Sequence, residues 1–257
     1  MQLTDPILLL LVMCGPFVGS FLGVLVDRLP RGQDVVWGRS ACRRCGTRLA
    51  FRDLIPVVSY LWLRGACRHC AGGIAPWVLY LEIAATGGAV LAAMAAPSAG
   101  LAWVWAVWLW LLLALAMCDL TRFRLPDPLT LCAFVVALVI AVMPGGIGMQ
   151  AGLTGALAGA GSFAALRWGY RALRGREGLG LGDVKLMAGL GAWSGVRDLP
   201  LLVLIAASCA LAVALVPRVL ARSRGTKPLA LRALPFGAAL CGSAGALWLA
   251  RVLAVPL

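Results

Sequence analysis

The residues best suited to chemistry are two aspartates, Asp119 and Asp183, in a chain that has only ten acidic residues. Asp119 ends the apolar run WAVWLWLLLALAMCD, and Asp183 lies in GLGLGDVKL, where another apolar segment begins. Charge is costly at membrane depth, so an ionisable residue at such a position indicates a functional site. Two carboxylates that share one proton can act as general acid and general base on a water molecule, which is sufficient to hydrolyse a peptide bond.

The segment around Asp183 has features that would support such a site. Gly180 and Gly182 allow a tight turn and a close approach of another chain segment. Lys185 can either stabilise negative charge that develops on a scissile carbonyl or extend to lipid phosphates. The residues alone also leave a second interpretation open, in which both aspartates are charges at helix ends that face the membrane interface.

A second chemically capable set consists of Cys42-Arg-Arg-Cys45 and Cys67-Arg-His-Cys70, with 21 residues between the pairs. Each C-x-x-C pair fits a knuckle turn that offers two thiolates, and four thiolates form a closed, structural zinc site. We therefore predict that Cys42, Cys45, Cys67 and Cys70 bind one zinc ion. The alternative is a pair of redox motifs, which would require a thioredoxin-like context that the sequence lacks.

The elements that position these residues have the composition of a membrane protein. Of the 257 residues, 62% are hydrophobic, and the mean hydropathy is +0.94. Uncharged stretches cover residues 6–26, 83–118, 129–166, 199–217 and 233–250. A helix needs about 20 apolar residues to cross the hydrocarbon. The second and third stretches therefore predict two spans each, broken at residues 97–100 and 144–146, and residues 184–196 add a shorter one. The expected fold is an all-α polytopic membrane protein with about eight transmembrane helices.

The positive charge predicts how these helices are oriented. The net charge is +13, and 20 of the 23 basic residues lie in four segments: 28–68, 122–124, 167–176 and 218–232. Eight spans with the N-terminus outside place all four segments on one side, which is the cytosol because loops rich in Lys and Arg stay there. Attraction to an anionic lipid bilayer accounts for this charge, so we expect no nucleic-acid partner.

The predicted organisation has three parts. A first transmembrane helix covers residues 1–26, and a small cytoplasmic zinc-binding domain covers residues 27–75. A transmembrane bundle that carries both aspartates covers residues 76–257.

Two other acidic residues need an explanation. Asp127 precedes Pro128, a pattern that predicts a helix N-cap followed by proline in the first turn. Glu82 lies about one turn into the second predicted helix. It either pairs with an arginine of the basic segment or takes part in chemistry that the sequence does not specify.

Five segments occur in a fixed order along the chain: GSFLGVLVDRLP (19–30), the four-cysteine segment, DLTRFRLPD (119–127), EGLGLGDVKLMAGLGAW (177–193) and PFGAALCGSAG (235–245). This set resembles the type IV prepilin leader peptidases, members of the GxGD class of intramembrane aspartyl proteases. The resemblance implies that Asp119 and Asp183 are the catalytic pair, with Gly180, Gly182 and Lys185 supporting the site. It implies an enzyme of the bacterial inner membrane that removes the leader peptide of type IV prepilins or type II secretion pseudopilins, after a glycine on the cytoplasmic side.

The same resemblance implies N-methylation of the new N-terminus with S-adenosylmethionine, although it assigns no residues to that cofactor. This chain departs from the family at Gly23, where asparagine is common, and at Ala66, where a basic residue is common. Two versions therefore stay open, a bifunctional enzyme and a peptidase alone. A proton-coupled transporter with a carboxylate relay is a further alternative, but it predicts broken helices in matched halves, and no halves match here.

Overall fold

Helices make up the regular structure of the computed structural model, which describes residues 5–176, 178–223 and 234–254. In these ranges there is no β-strand, only two isolated antiparallel bridges, Ala41 with Arg48 and Ala66 with Gly73. The all-α prediction is thereby confirmed. Glu177 and residues 224–233, which include most of the fourth basic segment, lie outside the described residues.

The chain divides into two compact units, one that ends at Ala114 and one that begins at Leu115. The N-terminal unit contains α1 (Pro6–Arg28), α2 (Val58–Trp62), α3 (Trp77–Ala95) and the first part of α4 (Ala99–Arg122). The C-terminal unit contains the end of α4, α5 (Asp127–Val142), α6 (Met149–Arg174), α7 (Leu181–Ser223) and α8 (Phe236–Ala254). The helix breaks that the sequence predicts at 97–100 and 144–146 coincide with the ends of α3 and α5.

In the N-terminal unit, α1 and α3 pack closely because two glycines of α1 face α3. A Cβ on Gly19 would lie 2.5 Å from Glu82 Cα, and one on Gly15 would lie 2.8 Å from Thr86 Cα. Real side chains do not tolerate such distances, so the helices approach each other through bare backbone. The polar segment between α1 and α3 contains α2 and two short 3₁₀ turns, Leu29–Arg31 and Phe51–Asp53.

In the C-terminal unit, α6 and α7 cross at a pair of facing glycines. A Cβ on Gly155 or Gly191 would collide with the carbonyl oxygen of the other residue, and one on Gly159 would lie 2.5 Å from the Met187 carbonyl oxygen. The small residues of α6 therefore serve the packing of this unit.

The long helix α7 is interrupted at Gly195, where φ is 72° and ψ is 171°. Beside the break, Arg251 of α8 donates to the Ser194 carbonyl at 3.1 Å. The same guanidinium pairs with Asp198 at 2.5 Å. This interruption separates the segments that the sequence predicts as two spans, 184–196 and 199–217.

Five of the described helical segments are long and apolar enough to cross a membrane: Pro6–Arg31, Trp77–Ala95, Ala99–Arg122, Leu181–Val216 and Phe236–Ala254. A shorter apolar helix, Asp127–Val142, adds a sixth apolar segment. The structure thus agrees with a multi-pass membrane protein. The count of about eight spans stays a prediction.

Candidate active site and metal centre

Asp119 is buried near the end of α4, with 7% of its surface exposed. Its Oδ2 atom accepts the backbone N–H of Ala238 at 2.8 Å. Ala238 lies in the first turn of α8, where N–H groups lack helical partners and the helix dipole favours negative charge. Gly237 permits this approach, because a Cβ there would lie only 3.1 Å from Asp119 Oδ2. The start of α8 therefore holds the Asp119 carboxylate.

Asp183 is the third residue of α7, and its carboxylate turns back toward the start of its own helix. Its Oδ2 atom accepts the N–H of Gly180 at 3.2 Å. An acidic third residue that reaches back to the N-cap backbone is one half of a capping box. The G-x-G-D sequence thus orients the carboxylate locally, since the Gly180 N–H fixes one of its oxygens.

The loop after α4 brings the starts of α7 and α8 together. A Cβ on Gly182 would lie 2.9 Å from Leu125 Cβ, and one on Gly237 would lie 3.0 Å from Leu125 Cδ1. Leu125 therefore packs against both glycines. Gly182 adjoins Asp183, and the Asp119 carboxylate lies beside Gly237, so Leu125 connects the two segments that carry the aspartates. The two aspartates belong to one group of side chains.

Lys185 has a partner that the sequence did not predict. Its Nζ atom lies 2.7 Å from Asp127 Oδ1, so the ion pair joins the start of α7 to the start of α5. The N-cap prediction for Asp127 is wrong. Pro126 occupies the cap position, Asp127 is the first helical residue, and no side-chain cap hydrogen bond forms. The Asp127 carboxylate accepts from Lys185 instead.

Sequence reasoning missed Arg167, which lies on α6 with 7% of its surface exposed. Its guanidinium donates to the carbonyl oxygen of Leu179, four residues before Asp183. The Tyr170 ring packs beside the same loop, where a Cβ on Gly178 would lie 2.7 Å from the ring. A signal was present in the sequence, because an arginine between leucine and tryptophan on an apolar helix needs polar partners when it is buried.

The four predicted metal ligands come together in the N-terminal unit. The Sγ atoms of Cys42, Cys45, Cys67 and Cys70 all lie within 4.8 Å of one another, and all four thiols are free of disulfides. The Cys42 and Cys70 sulfurs are 3.8 Å apart. A tetrahedral zinc site with Zn–S bonds of about 2.3 Å places its sulfurs about 3.8 Å apart. The cluster can therefore hold a metal ion of this kind.

The two knuckles have the same internal hydrogen bonds. In the first knuckle, the Cys42 N–H donates to the Thr47 carbonyl at 2.9 Å, and the Cys42 carbonyl accepts the Gly46 N–H at 2.9 Å. In the second, the Cys67 N–H donates to the Gly72 carbonyl at 2.8 Å, and the Cys67 carbonyl accepts the Ala71 N–H at 2.9 Å. The fifth position turns through a positive φ, 72° at Gly46 and 51° at Ala71. The second knuckle thus adopts with alanine the turn that the first makes with glycine.

Backbone N–H groups also tune the thiols. The N–H groups of Cys45 and Arg44 lower the pKa of Cys42, and those of Cys70 and His69 lower the pKa of Cys67. Although the Gly72 N–H favours the Cys70 thiolate, burial and the neighbouring thiols raise the pKa of Cys70 to about 11. The protonated form is thus favoured at Cys70, and a bound cation would displace its proton.

Glu82 of α3 is buried, and its Oε2 atom accepts the N–H of Val57 at 2.6 Å. Val57 has φ of 62°, which is unusual for a β-branched residue, so the carboxylate stabilises a strained turn before α2. The first interpretation of Glu82, an ion pair with an arginine of the basic segment, is wrong: within the described part of the chain, no Lys or Arg pairs with it.

Two family models together match most of the chain. Residues 13–96 match the model described as the bacterial peptidase A24 N-terminal domain, and residues 106–215 match the type IV leader peptidase family. No solved structure matches the chain.

Three curated relatives are all named prepilin leader peptidase/N-methyltransferase. The protein of Pectobacterium carotovorum subsp. carotovorum is 35% identical over 84% of this chain and 85% of its own length. The protein of Dickeya chrysanthemi is 35% identical over 87% of each chain. The protein of Burkholderia pseudomallei (strain 1026b) is 36% identical over 91% of this chain and 82% of its own length.

Proposed function

Because the chain belongs to the type IV leader peptidase family, we propose that it is an aspartyl endopeptidase of the bacterial inner membrane. Its substrates are type IV prepilins or type II secretion pseudopilins, and it cuts their leader peptide after a glycine on the cytoplasmic side. We propose Asp119 and Asp183 as the catalytic pair. The observation that carries this assignment is that Leu125 packs against both Gly182, next to Asp183, and Gly237, beside the Asp119 carboxylate, while each carboxylate accepts a backbone N–H at the start of a helix.

The chemistry follows from two carboxylates that share a site. Like charges at close range do not both ionise easily, so the pair holds one proton between its members and binds a water molecule. The ionised carboxylate takes a proton from the water as its oxygen attacks the scissile carbonyl. The protonated carboxylate donates a hydrogen bond to the carbonyl oxygen. The N–H groups of Ala238 and Gly180 keep the two carboxylates oriented for this step.

The supporting residues have distinct roles in this proposal. Gly180 and Gly182 let the backbone turn and approach Leu125, so that Asp183 faces the site. Lys185 supports the site indirectly, because its ion pair with Asp127 ties the start of α7 to α5. In the substrate, a glycine before the cut makes local unwinding of the helix less costly, and the exposed carbonyl becomes accessible.

The cysteine cluster is proposed to bind one structural zinc ion. The spacing of its sulfurs fits a tetrahedral ion, and all four ligands come from the protein, which leaves no open position for catalysis. Cys42, Cys45, Cys67 and Cys70 would hold the ion, and the ion would fix the two knuckles against each other.

A second activity, N-methylation of the new N-terminus with S-adenosylmethionine, is proposed from the names of the relatives. The peptidase-only alternative and the proton-coupled transporter are less well supported, since every relative described above has the double name.

The proposed topology has eight spans, with the N-terminus outside and the zinc cluster and both aspartates at the cytoplasmic side. Support comes from the break at Gly195, which divides α7 into two apolar segments, and from α5 and α6, which pack against α7. The basic segments would then all face the cytosol, in keeping with the distribution of Lys and Arg.

The decisive experiment is co-expression with a candidate prepilin, followed by sequencing of the pilin N-terminus. Asp119→Asn and Asp183→Asn should each lower cleavage by about 10³-fold or more, because an amide can neither accept nor share the proton. Asp198→Asn is the matched control, because Asp198 is also an aspartate of α7 but takes no part in the proposed catalytic pair. Its half-exposed carboxylate pairs with Arg251 near the break in α7. Rapid cleavage by either of the first two variants would remove that aspartate from the catalytic pair.

A further inference from the structure

The short helix α2 has two faces that differ in their surroundings. On one face, Ser59 and Leu63 line a cavity of about 500 Å³ that α1, α3 and the cysteine knuckles also border. The other face carries Val58, Leu61 and Trp62, all of them exposed, Trp62 to 80%. Residues three and four apart lie on the same side of a helix, so these three side chains form one apolar face.

Two more apolar side chains are exposed in the stretch before α2. Phe51 is 87% exposed, and Ile55 is exposed as well. Between them, Asp53 pairs with Arg68 of the second knuckle at 2.8 Å, which ties this stretch to the cysteine cluster. Large apolar side chains that are exposed close together indicate a contact with an apolar partner. The exposed apolar set is defined here as Phe51, Ile55, Val58, Leu61 and Trp62.

A hydrogen bond between α2 and α3 fixes the level of α2 relative to a membrane span. Glu82 Oε2 accepts the N–H of Val57, the residue just before α2, at 2.6 Å. Glu82 is the sixth residue of α3, so it lies about 8 Å along the helix axis from Trp77. The 19 residues of α3 cover only about 28 Å, close to the thickness of the hydrocarbon, so the first turn of α3 lies at its boundary. The start of α2 is therefore held where α3 enters the lipid.

The charge of this region fits the lipid headgroups. Residues 28–68 contain nine basic and two acidic residues. Arg52 follows Phe51, Arg64 follows the end of α2, and both are exposed. Anionic lipids attract such arginines, and tryptophan side chains concentrate at the membrane–water interface. At the level of Val57, a protein partner would have to displace lipid before it could reach the exposed apolar set.

We infer that the exposed apolar set inserts into the headgroup region of the bilayer, with Arg52 and Arg64 paired to anionic lipid phosphates. This step rests on the proposed topology in one respect, that α1 and α3 span the membrane. An apolar face that lies in the plane of the interface buries its side chains by about 5–10 Å. Because Asp53 pairs with Arg68, insertion holds the cysteine cluster against the membrane surface.

The test places a photoreactive benzophenone amino acid at single positions of the full-length chain, in nanodiscs of mixed anionic and zwitterionic lipid. Mass spectrometry identifies what each position captures. Phe51 and Trp62 should capture lipid with yields within about threefold of Ile83, an exposed residue of α3. Ser59, on the cavity face of α2, and His69, an exposed residue of the second knuckle that also lines the cavity, should yield about tenfold less lipid adduct. His69 shows whether the apolar probe itself enters the bilayer.

The identity of the captured lipid tests the role of the arginines. Arg64 lies two residues from Trp62, so anionic lipid should make up a share of the Trp62 adducts about twofold or more above its share at Ile83. Equal shares at the two positions would overturn the pairing of Arg52 and Arg64 with anionic phosphates.

The remaining outcomes separate this inference from the proposed topology. If Ile83 captures lipid but Phe51 and Trp62 do not, the inference is overturned and the span of α3 stands. Capture of a second copy of the chain by Trp62, in place of lipid, would overturn it as well, because the occupant would then be protein. If Ile83 also fails to capture lipid, α3 does not face the bilayer, and the topology and the inference fail together. Thermal melts of each labelled chain check that it is folded.

Discussion

The cysteine cluster of the N-terminal unit and the aspartate group of the C-terminal unit are built in opposite ways. Each knuckle is a stretch of six residues whose own hydrogen bonds place two sulfurs, and the two stretches repeat one pattern. The aspartate group instead combines the end of α4, Leu125, the G-x-G-D turn and the start of α8. The cluster is therefore local in sequence and, under the zinc proposal, would depend on an ion, whereas the aspartate group depends on how distant helices pack. Perturbations should separate the two.

Removal of the metal should have the largest effect, and it should stay in the N-terminal unit. Structural zinc sites of this type contribute about 10–16 kcal/mol of apparent binding free energy, so Cys42→Ala or a strong chelator should unfold the two knuckles. Elemental analysis should find about one zinc ion per wild-type chain and none in the variant. Hydrogen exchange should show loss of protection over residues 40–75, with α5 to α8 unchanged.

Cys132→Ala is the control for this experiment, because Cys132 is exposed on α5 and takes no part in the cluster. A metal-free protein with full protection of residues 40–75 would contradict the local, ion-dependent account of this region.

The next largest effect should come from Gly237→Ala in the aspartate group. The new Cβ would lie 3.0 Å from Leu125 Cδ1 and 3.1 Å from Asp119 Oδ2, so the carboxylate or α8 must shift. Overpacking of this kind costs about 1–3 kcal/mol, and we expect cleavage to fall by about tenfold or more because the Asp119 carboxylate is misplaced.

Gly242→Ala, in the same helix, is the matched control, because a Cβ there has no neighbour within 4 Å. It should leave cleavage unchanged and stabilise α8 slightly, since alanine favours a helix over glycine by about 1 kcal/mol. Equal rates for both variants would show that the fit of α8 against Asp119 is not needed for turnover. Initial rates of leader cleavage give the comparison.

The same contrast explains what the sequence could predict. The knuckles were predictable because ligand types and spacing lie within short segments. The helices followed from apolar length and from breaks such as residues 144–146, and the predicted boundary between 184–196 and 199–217 lies next to the interruption of α7 at Gly195. The contacts of the aspartate group were not predictable beyond the two aspartates themselves. Ala238 is more than a hundred residues from Asp119, and nothing in either segment specifies that one donates to the other.

A smaller effect is expected from Arg167, which acts on the aspartate group through the loop before Asp183. Arg167→Met would leave the partly buried Leu179 carbonyl without this donor, a loss of about 1.5–3 kcal/mol for a charge-assisted hydrogen bond. Cleavage should fall by about tenfold through kcat, with KM little changed, because the loop positions Asp183 but does not touch the substrate. Arg167→Lys should restore part of the rate. Loss of rate through KM alone would indicate a substrate contact instead.

The smallest effect should come from the ion pair of Lys185 with Asp127, and a double-mutant cycle measures it. The pair lies at 2.7 Å, but its side chains are 48% and 70% exposed, and water and salt screen such pairs to about 0–1 kcal/mol. Lys185→Met and Asp127→Asn should each change cleavage less than about threefold, and the double variant should cost no more than the larger single change. This result follows if Lys185 acts only through Asp127. If Lys185 instead stabilises charge on the scissile carbonyl, Lys185→Met should lower kcat by about tenfold or more. The loss should be the same in the wild-type background and in the Asp127→Asn background, because the effect of Lys185 would then be independent of its partner on α5.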